Sequence, residues 1–302
     1  GYLRELHDWL AWCERNRLDP LTARRADVDG WTAMMTARTR GADGTVVLAQ
    51  PSNATIKHRM DAVSSWYEYL LVHERATRNP MKGATRPDPP DHSPLPVLDD
   101  EDYEPFLDWL DDRAATLGTE TALRDAALLR MMFTLGLRVT GLCTAELSSL
   151  RRERRRTYLH YVKKGGQPGR VPVPPKVIAS CERYWAVRAA RENRSPATLR
   201  GPLFVSTPLT GQPDRTGGRA LKQRDVQRIL RRLATQADLD IAATITPHSG
   251  RATAATRALA RGAAPRAVQE MLGVKSLDTA MRYDRGDYTG DASAVYLLDP
   301  ST

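Results

Sequence analysis

Apolar positions at helical spacing run through most of this chain, and they break where glycine and proline cluster. Near the start, Leu3, Leu6, Trp9, Leu10 and Cys13 recur with a period near 3.6 and predict an amphipathic helix. A loop at Pro20 and a short helix near Asp27–Thr39, carrying Val28, Trp31 and Met35, follow. The glycine-punctuated segment 41–50 reads as a loop or turn. From Ser52 a longer helix is predicted, with Ile56, Met60, Val63, Trp66, Tyr67, Leu70 and Leu71 on one face and Lys57, His58 and Arg59 on the other. Residues 82–97 contain five prolines and few large apolar residues, which favours an extended linker.

Beyond the linker the helical period resumes. Phe106, Leu107, Trp109 and Leu110 mark one helix; Leu123, Ala127, Leu128 and Met131 mark a second, over about 120–134. Gly136 is placed to end it and Thr140 to cap the next, which leaves Arg138 in the turn. Alternating residues at 157–162, the glycines at 165–166 and a second extended run at 170–174 read as a β-hairpin or small sheet. Helical spacing returns at 177–190 and, in a strongly basic form, at 221–233, where Arg224, Arg228, Arg231 and Arg232 are candidate phosphate contacts or an ordinary solvated face. Near the C-terminus three short helices are predicted: one from Ser249 to Arg261 stopped by Gly262, one from Pro265 to Gly273, and one capped by Ser276 that carries Tyr283. The fold class is therefore mainly α with a small antiparallel β-sheet, in two domains.

Composition narrows the partners. The chain has 302 residues and a net charge of +9, which points to a polyanion. The charge is segregated: residues 99–112 hold eight acids and no Lys or Arg, whereas 151–156 and 222–232 are strongly basic. Three scattered cysteines suggest neither a disulfide framework nor a metal site and fit a reducing cytoplasm. No apolar run is long enough to span a membrane, and the N-terminal residues look like the inside of a helix from a longer protein.

The chemistry concentrates in 246–283. His248 and Arg251, three apart, face the same way on a helix, and Tyr283 closes the stretch. An arginine fork binds phosphate, a neutral imidazole accepts a proton, and a phenol beside cations can act as a nucleophile. The set suggests phosphoryl transfer through a phosphotyrosine; the alternative is a capped three-helix bundle with surface His and Arg.

This stretch resembles the C-terminal box of the tyrosine recombinases, the phage integrase family, on His248-Ser-Gly-Arg251, Gly262, Leu272-Gly273 and Tyr283. Leu135-Gly136-Leu137-Arg138 resembles that family's first arginine box, and Lys164-Gly165 followed by Val171-Pro172 resembles its hairpin lysine pattern, with Lys163 as the adjacent competitor. The pattern Thr55 through Arg59 to Trp66–Tyr69, then Asn79-Pro80, resembles the family's N-terminal DNA-gripping unit. The resemblance implies a helical core-binding domain at 1–81, a linker at 82–97 and a mixed α/β catalytic domain at 98–302.

It further implies site-specific DNA strand exchange with no metal or nucleotide cofactor. Tyr283 is the implied nucleophile, Arg138 and Arg251 hold the phosphate, His248 assists proton transfer and Lys164 protonates the leaving oxygen. Thr55, Lys57 and Arg59 are implied DNA contacts, Lys57 and Arg59 with a solvated face as the alternative. The partner is double-stranded DNA, the assembly a homotetramer on synapsed sites, and the location the cytoplasm, at the nucleoid. Three departures stand out: Gly141 replaces an expected Glu, with Glu146 the next acid, and Ala252 and Val274 stand where the family carries hydrogen-bond donors. They leave open a recombinase-fold DNA-binding protein that is weak or inactive in cleavage; a type IB topoisomerase is a further alternative.

Overall fold

The computed structural model describes residues 2–40, 45–87, 95–163, 166–207 and 218–286. The chain divides into two compact units, Gly1–Pro94 and Leu95–Thr302. Both are mainly helical, and each carries one small antiparallel sheet.

The first unit is built from α1 (Tyr2–Arg15), α2 (Arg25–Ala33), the strands β1 (Ala37–Arg40) and β2 (Val46–Ala49), and α3 (Asn53–Val72). Its core is aromatic. Trp9 is fully buried, stacks on Trp12 at 5.5 Å between ring centroids, and meets Trp31 edge-on at 5.0 Å. Trp9 Nε1 donates to the Tyr67 hydroxyl at 3.2 Å, and Tyr67 donates to the Pro20 carbonyl at 2.6 Å. Ser52 caps α3 through the Thr55 amide.

Two features depart from expectation. The helix predicted to Thr39 ends at Ala33, and within the segment read as a loop Val46–Ala49 forms a strand paired antiparallel with Ala37–Arg40. The β-forming Val46-Val47-Leu48 after Asp43-Gly44 favours strand over loop. The packed region also runs past Met81: Ala84 is buried in the core, and Arg86 pairs with Asp61 at 2.6 Å. The centre of the proline-rich segment, 88–94, lies outside the described residues.

The second unit is organised around α5 (Glu120–Leu135), a helix buried on nearly every face. Against it pack α4 (Asp100–Leu117) and α7 (Pro175–Arg191). The acids at the start of α4 have a structural reason to be there. Asp99 caps the helix, and Asp100, Glu101 and Asp102 lie at the positive end of its dipole. A short helix α6 (Val139–Thr144) leads to a sheet with strand order β3 (Leu150–Glu153), β4 (Arg156–Val162), β5 (Pro168–Val173). Part of the basic run at 151–156 therefore forms a strand of its own. Leu159 of β4 pairs with Val171 of β5, and Tyr161 pairs with Gly169.

The remaining helices are α8 (Gln223–Gln236), α9 (Pro247–Ala260), α10 (Pro265–Leu272) and α11 (Leu277–Met281). Asp125, which is 1% exposed at its side chain, is held by Arg124 and by Arg232, tying α5 to α8. Such a buried carboxylate depends on its partners. Among the described residues, no helix is long and apolar enough to cross a membrane.

Candidate active site

The site forms where the ends of three helices meet. α5 terminates at Gly136 in the left-handed region (φ 60°) and α10 at Gly273 (φ 59°). Glycine is needed at 136 for a second reason. A Cβ there would stand 3.2 Å from the Ala254 methyl and 3.3 Å from Leu272 Cδ2. The buried Arg251 of α9 bridges these ends, donating from Nη1 to the Gly136 carbonyl at 2.8 Å and from Nη2 to the Leu272 carbonyl at 2.7 Å. Both acceptors lie at the negative ends of helix dipoles, which suits a buried cation. These bonds to main-chain carbonyls use two of the five guanidinium donors.

Arg138 follows Gly136 by two residues and occupies the N-cap of α6, where its side chain makes no capping bond. Thr140, expected at that cap, is instead inside α6 and accepts from Gln223 Nε2 at 2.9 Å. Arg138, His248 and Arg251 line one cleft of about 200 Å³ with Leu137, Val139, Thr140 and Pro247. His248 sits on the first turn of α9, which Thr246 caps, with its imidazole at the cleft. Tyr283 sits just past α11, half-buried against Ala255, Val268, Leu272 and Ala280, with its carbonyl held by Thr256 Oγ1 at 2.9 Å. Its helix stops at Met281, earlier than predicted, so the nucleophile candidate is on a turn. The rings of His248 and Tyr283 lie 6.5 Å apart at 64°.

The electrostatics are one-sided. Among the described residues no carboxylate pairs with Arg138 or Arg251 (contrast Arg130, Arg188 and Arg232). Burial, then the charges of Arg251 and Arg138, hold the His248 imidazole below its ordinary value, so it is neutral at neutral pH. Burial and the Arg138 charge push Arg251 down, while the nearby Tyr283 phenol, through charge and hydrogen bonding, favours the cation. The arrangement brings two guanidinium groups, a neutral imidazole and a phenol together.

Other expected residues fall elsewhere. Lys164 lies outside the described residues. Lys163 is described, and its Cε stands 3.4 Å from the position a Cβ would take on Gly273, beside the Leu272 carbonyl that holds Arg251. The structure also brings in a residue that sequence reading missed, Tyr161. Its hydroxyl stands 2.8 Å from the same Gly273 position, and both arginines act on it electrostatically. The alternation of β4 could have revealed it, because Leu159 is fully buried and 161 and 163 share its face.

Ala252 is buried and its methyl offers no donor; Val274 packs beside the Ala255–Leu272 cluster. Lys275 is exposed. Glu146, the nearest acid after Gly141, caps a short turn and accepts from the Ser148 hydroxyl at 3.2 Å. On α8, Arg232 is committed to Asp125 and Arg228 faces Asp225 at 3.5 Å, leaving Arg224 and Arg231 as the exposed arginines without such a pair.

In the first unit Arg59 is corrected. It is 8% exposed, donates to the Thr36 carbonyl at 3.0 Å and pairs with Glu5 at 3.3 Å, so its guanidinium is committed to internal packing. Lys57 is half-buried and Thr55 shares a 3.0 Å hydrogen bond with Ser52 at the α3 N-terminus.

Residues 96–289 match the model of the phage integrase family. The chain belongs to that family. It is 31% identical over 276 residues to tyrosine recombinase XerC of Chromohalobacter salexigens, covering 90% of this chain and 83% of the relative. It is 26% identical to tyrosine recombinase XerD of Listeria innocua, covering 94% and 86%. As a phage integrase family member it is a tyrosine-type site-specific recombinase. Among solved structures, the fold matches XerH site-specific recombinase bound to difH substrate (TM-score 0.64, 17% identity, covering 99% of this chain and 78% of that one). It also matches the Tn1549 transposon integrase in complex with circular intermediate DNA (TM-score 0.62, 19% identity, 94% and 89%).

Proposed function

We propose that this recombinase binds double-stranded DNA and exchanges its strands through a covalent 3′-phosphotyrosyl intermediate. The observation that carries the reading is the pair Arg138 and Arg251, without carboxylate partners among the described residues, lining one cleft with His248, whose ring lies 6.5 Å from that of Tyr283. The Tyr283 oxygen attacks the scissile phosphorus, and its proton passes to the neutral His248 imidazole. The bond from phosphorus to the 5′-oxygen breaks, and that oxygen takes a proton from a lysine of the β4–β5 hairpin. Sequence pattern favours Lys164; packing against Gly273 favours Lys163. Arg138 and Arg251 neutralise charge on the non-bridging oxygens, the largest single contribution expected in such a site. Rejoining reverses the steps with the 5′-hydroxyl of another strand, and the ester conserves the bond energy.

In this reading the first unit grips the duplex with Lys57 and Thr55, and four protomers assemble on two synapsed sites at the nucleoid. The DNA complexes named for XerH and the Tn1549 integrase support a DNA partner. A duplex nicked close to the cleavage site tests it, since loss of the short fragment traps the adduct. A covalent complex with the wild type and none with Tyr283→Phe is the expected result. DNA binding without any adduct would favour an architectural role, consistent with the missing donors at Ala252 and Val274. Relaxation of supercoils without joining of two duplexes would favour a topoisomerase.

A further inference from the structure

The Tyr161 hydroxyl is the one group beside the site with no assigned task. Its oxygen is buried from solvent and has no hydrogen-bond partner among the described residues, although burying a hydroxyl unpaired costs about 1–3 kcal/mol. The backbone makes room for it twice. Across the sheet Tyr161 pairs with Gly169, where a Cβ would stand 2.9 Å from its Cζ. At its tip the oxygen lies against Gly273, where a Cβ would stand 2.8 Å away. Side chains at either glycine would displace the ring. The residue before Gly273 is Leu272, whose carbonyl holds Arg251, so the phenol points to the anchored end of the phosphate fork.

We propose that Tyr161 is a further phosphate-binding residue of the reacting site, donating its O–H to an oxygen of the scissile diester alongside Arg138 and Arg251. The proposal rests on the strand-transferase reading above. Several lines of chemistry support it. Burial raises the Tyr161 phenol, with Arg251 and Arg138 opposing, so it keeps its proton at neutral pH and acts as a donor. Being within reach of both guanidinium charges, it lies in the field that would hold the anion. Ala252 and Val274 supply no donor, and of the residues lining the cleft only His248 and Thr140 carry a neutral polar side chain. A diester oxygen would satisfy the orphaned hydroxyl and be stabilised by it in one contact.

The test is Tyr161→Phe, which keeps the ring and its packing. On the nicked substrate its single-turnover rate of adduct formation is expected to fall on the order of a hundredfold, with DNA affinity within about twofold of wild type. Methylphosphonate diesters at the cleavage position, one non-bridging oxygen replaced in each diastereomer, separate contact from indirect effects. The loss should vanish for the isomer lacking the oxygen that Tyr161 contacts and persist for the other. An unchanged rate on the native diester, or an equal loss on both isomers, would overturn the proposal while leaving the strand-transferase reading intact. Absence of adduct with the wild type would overturn both.

Discussion

Arg251 Nη1 donates to the Gly136 carbonyl at 2.8 Å, a contact that joins residues 115 apart in the chain. With the second bond to Leu272, it fixes the plane of the guanidinium before any ligand arrives. Arg251→Lys keeps the charge and loses the fork, since one ammonium cannot replace both bonds in this geometry. The variant is expected to lose about 2 kcal/mol of stability from a carbonyl left unpaired, measured by urea unfolding. Its rate of adduct formation should fall by at least a hundredfold.

The depressed His248 gives a pH signature. If its neutral form accepts the Tyr283 proton, adduct formation at subsaturating DNA is flat near neutrality and falls as pH drops through the pKa of the free enzyme. That pKa lies below the ordinary 6.5, first from burial and then from Arg251 and Arg138. Arg138→Ala, although slower, should move the acid limb towards higher pH; His248→Gln should abolish it. The unfolded chain binds this proton more readily, so the same group leaves stability untouched above 6.5 and lowers it as pH falls below.

The proton donor to the leaving oxygen can be assigned by chemistry. Loss of a general acid costs about 10²- to 10⁴-fold. A 5′-bridging sulfur leaves as a thiolate, whose conjugate thiol has a pKa near 8.5, and needs no such donor. Whichever of Lys163→Ala and Lys164→Ala is slow on the oxygen substrate and restored on the sulfur one identifies the acid. The placement of Lys163 against Gly273 leads us to expect rescue of Lys163→Ala.

The two cations of α3 should separate in function. Arg59→Met breaks a buried pair with Glu5 and is expected to cost about 3 kcal/mol, with the salt dependence of DNA binding unchanged in the folded protein. Lys57→Ala should leave stability nearly unaltered and reduce the salt slope by about one, as read by binding titrations across ionic strength.

Where sequence and structure agree, a local rule was decisive. Gly136 and Gly273 were readable as helix stops because glycine takes the left-handed cap at least steric cost, and Ser276 and Ser52 were readable as helix starts. That Arg138 joins His248, Arg251 and Tyr283 was legible only through family resemblance, because nothing local says that a turn after α5 meets the start of α9. Arg59 was misread for the converse reason: helical phase placed it among cations, while Glu5 and the Thr36 carbonyl, distant in sequence, drew it inward. Tyr161 escaped notice because an aromatic in an alternating strand reads as core, and its orphaned oxygen exists only in three dimensions.

Thr256 grips the Tyr283 carbonyl from α9, the same helix that bears His248 and Arg251. That bond ties the backbone of the phenol to the helix that carries the cationic pocket of the same chain. On the proposed chemistry, two crippled partners could not repair one another: protomers lacking the phenol mixed with protomers lacking Arg138 would stay inert on DNA. A strand broken within an assembly would therefore carry the label of the very subunit whose pocket it occupied.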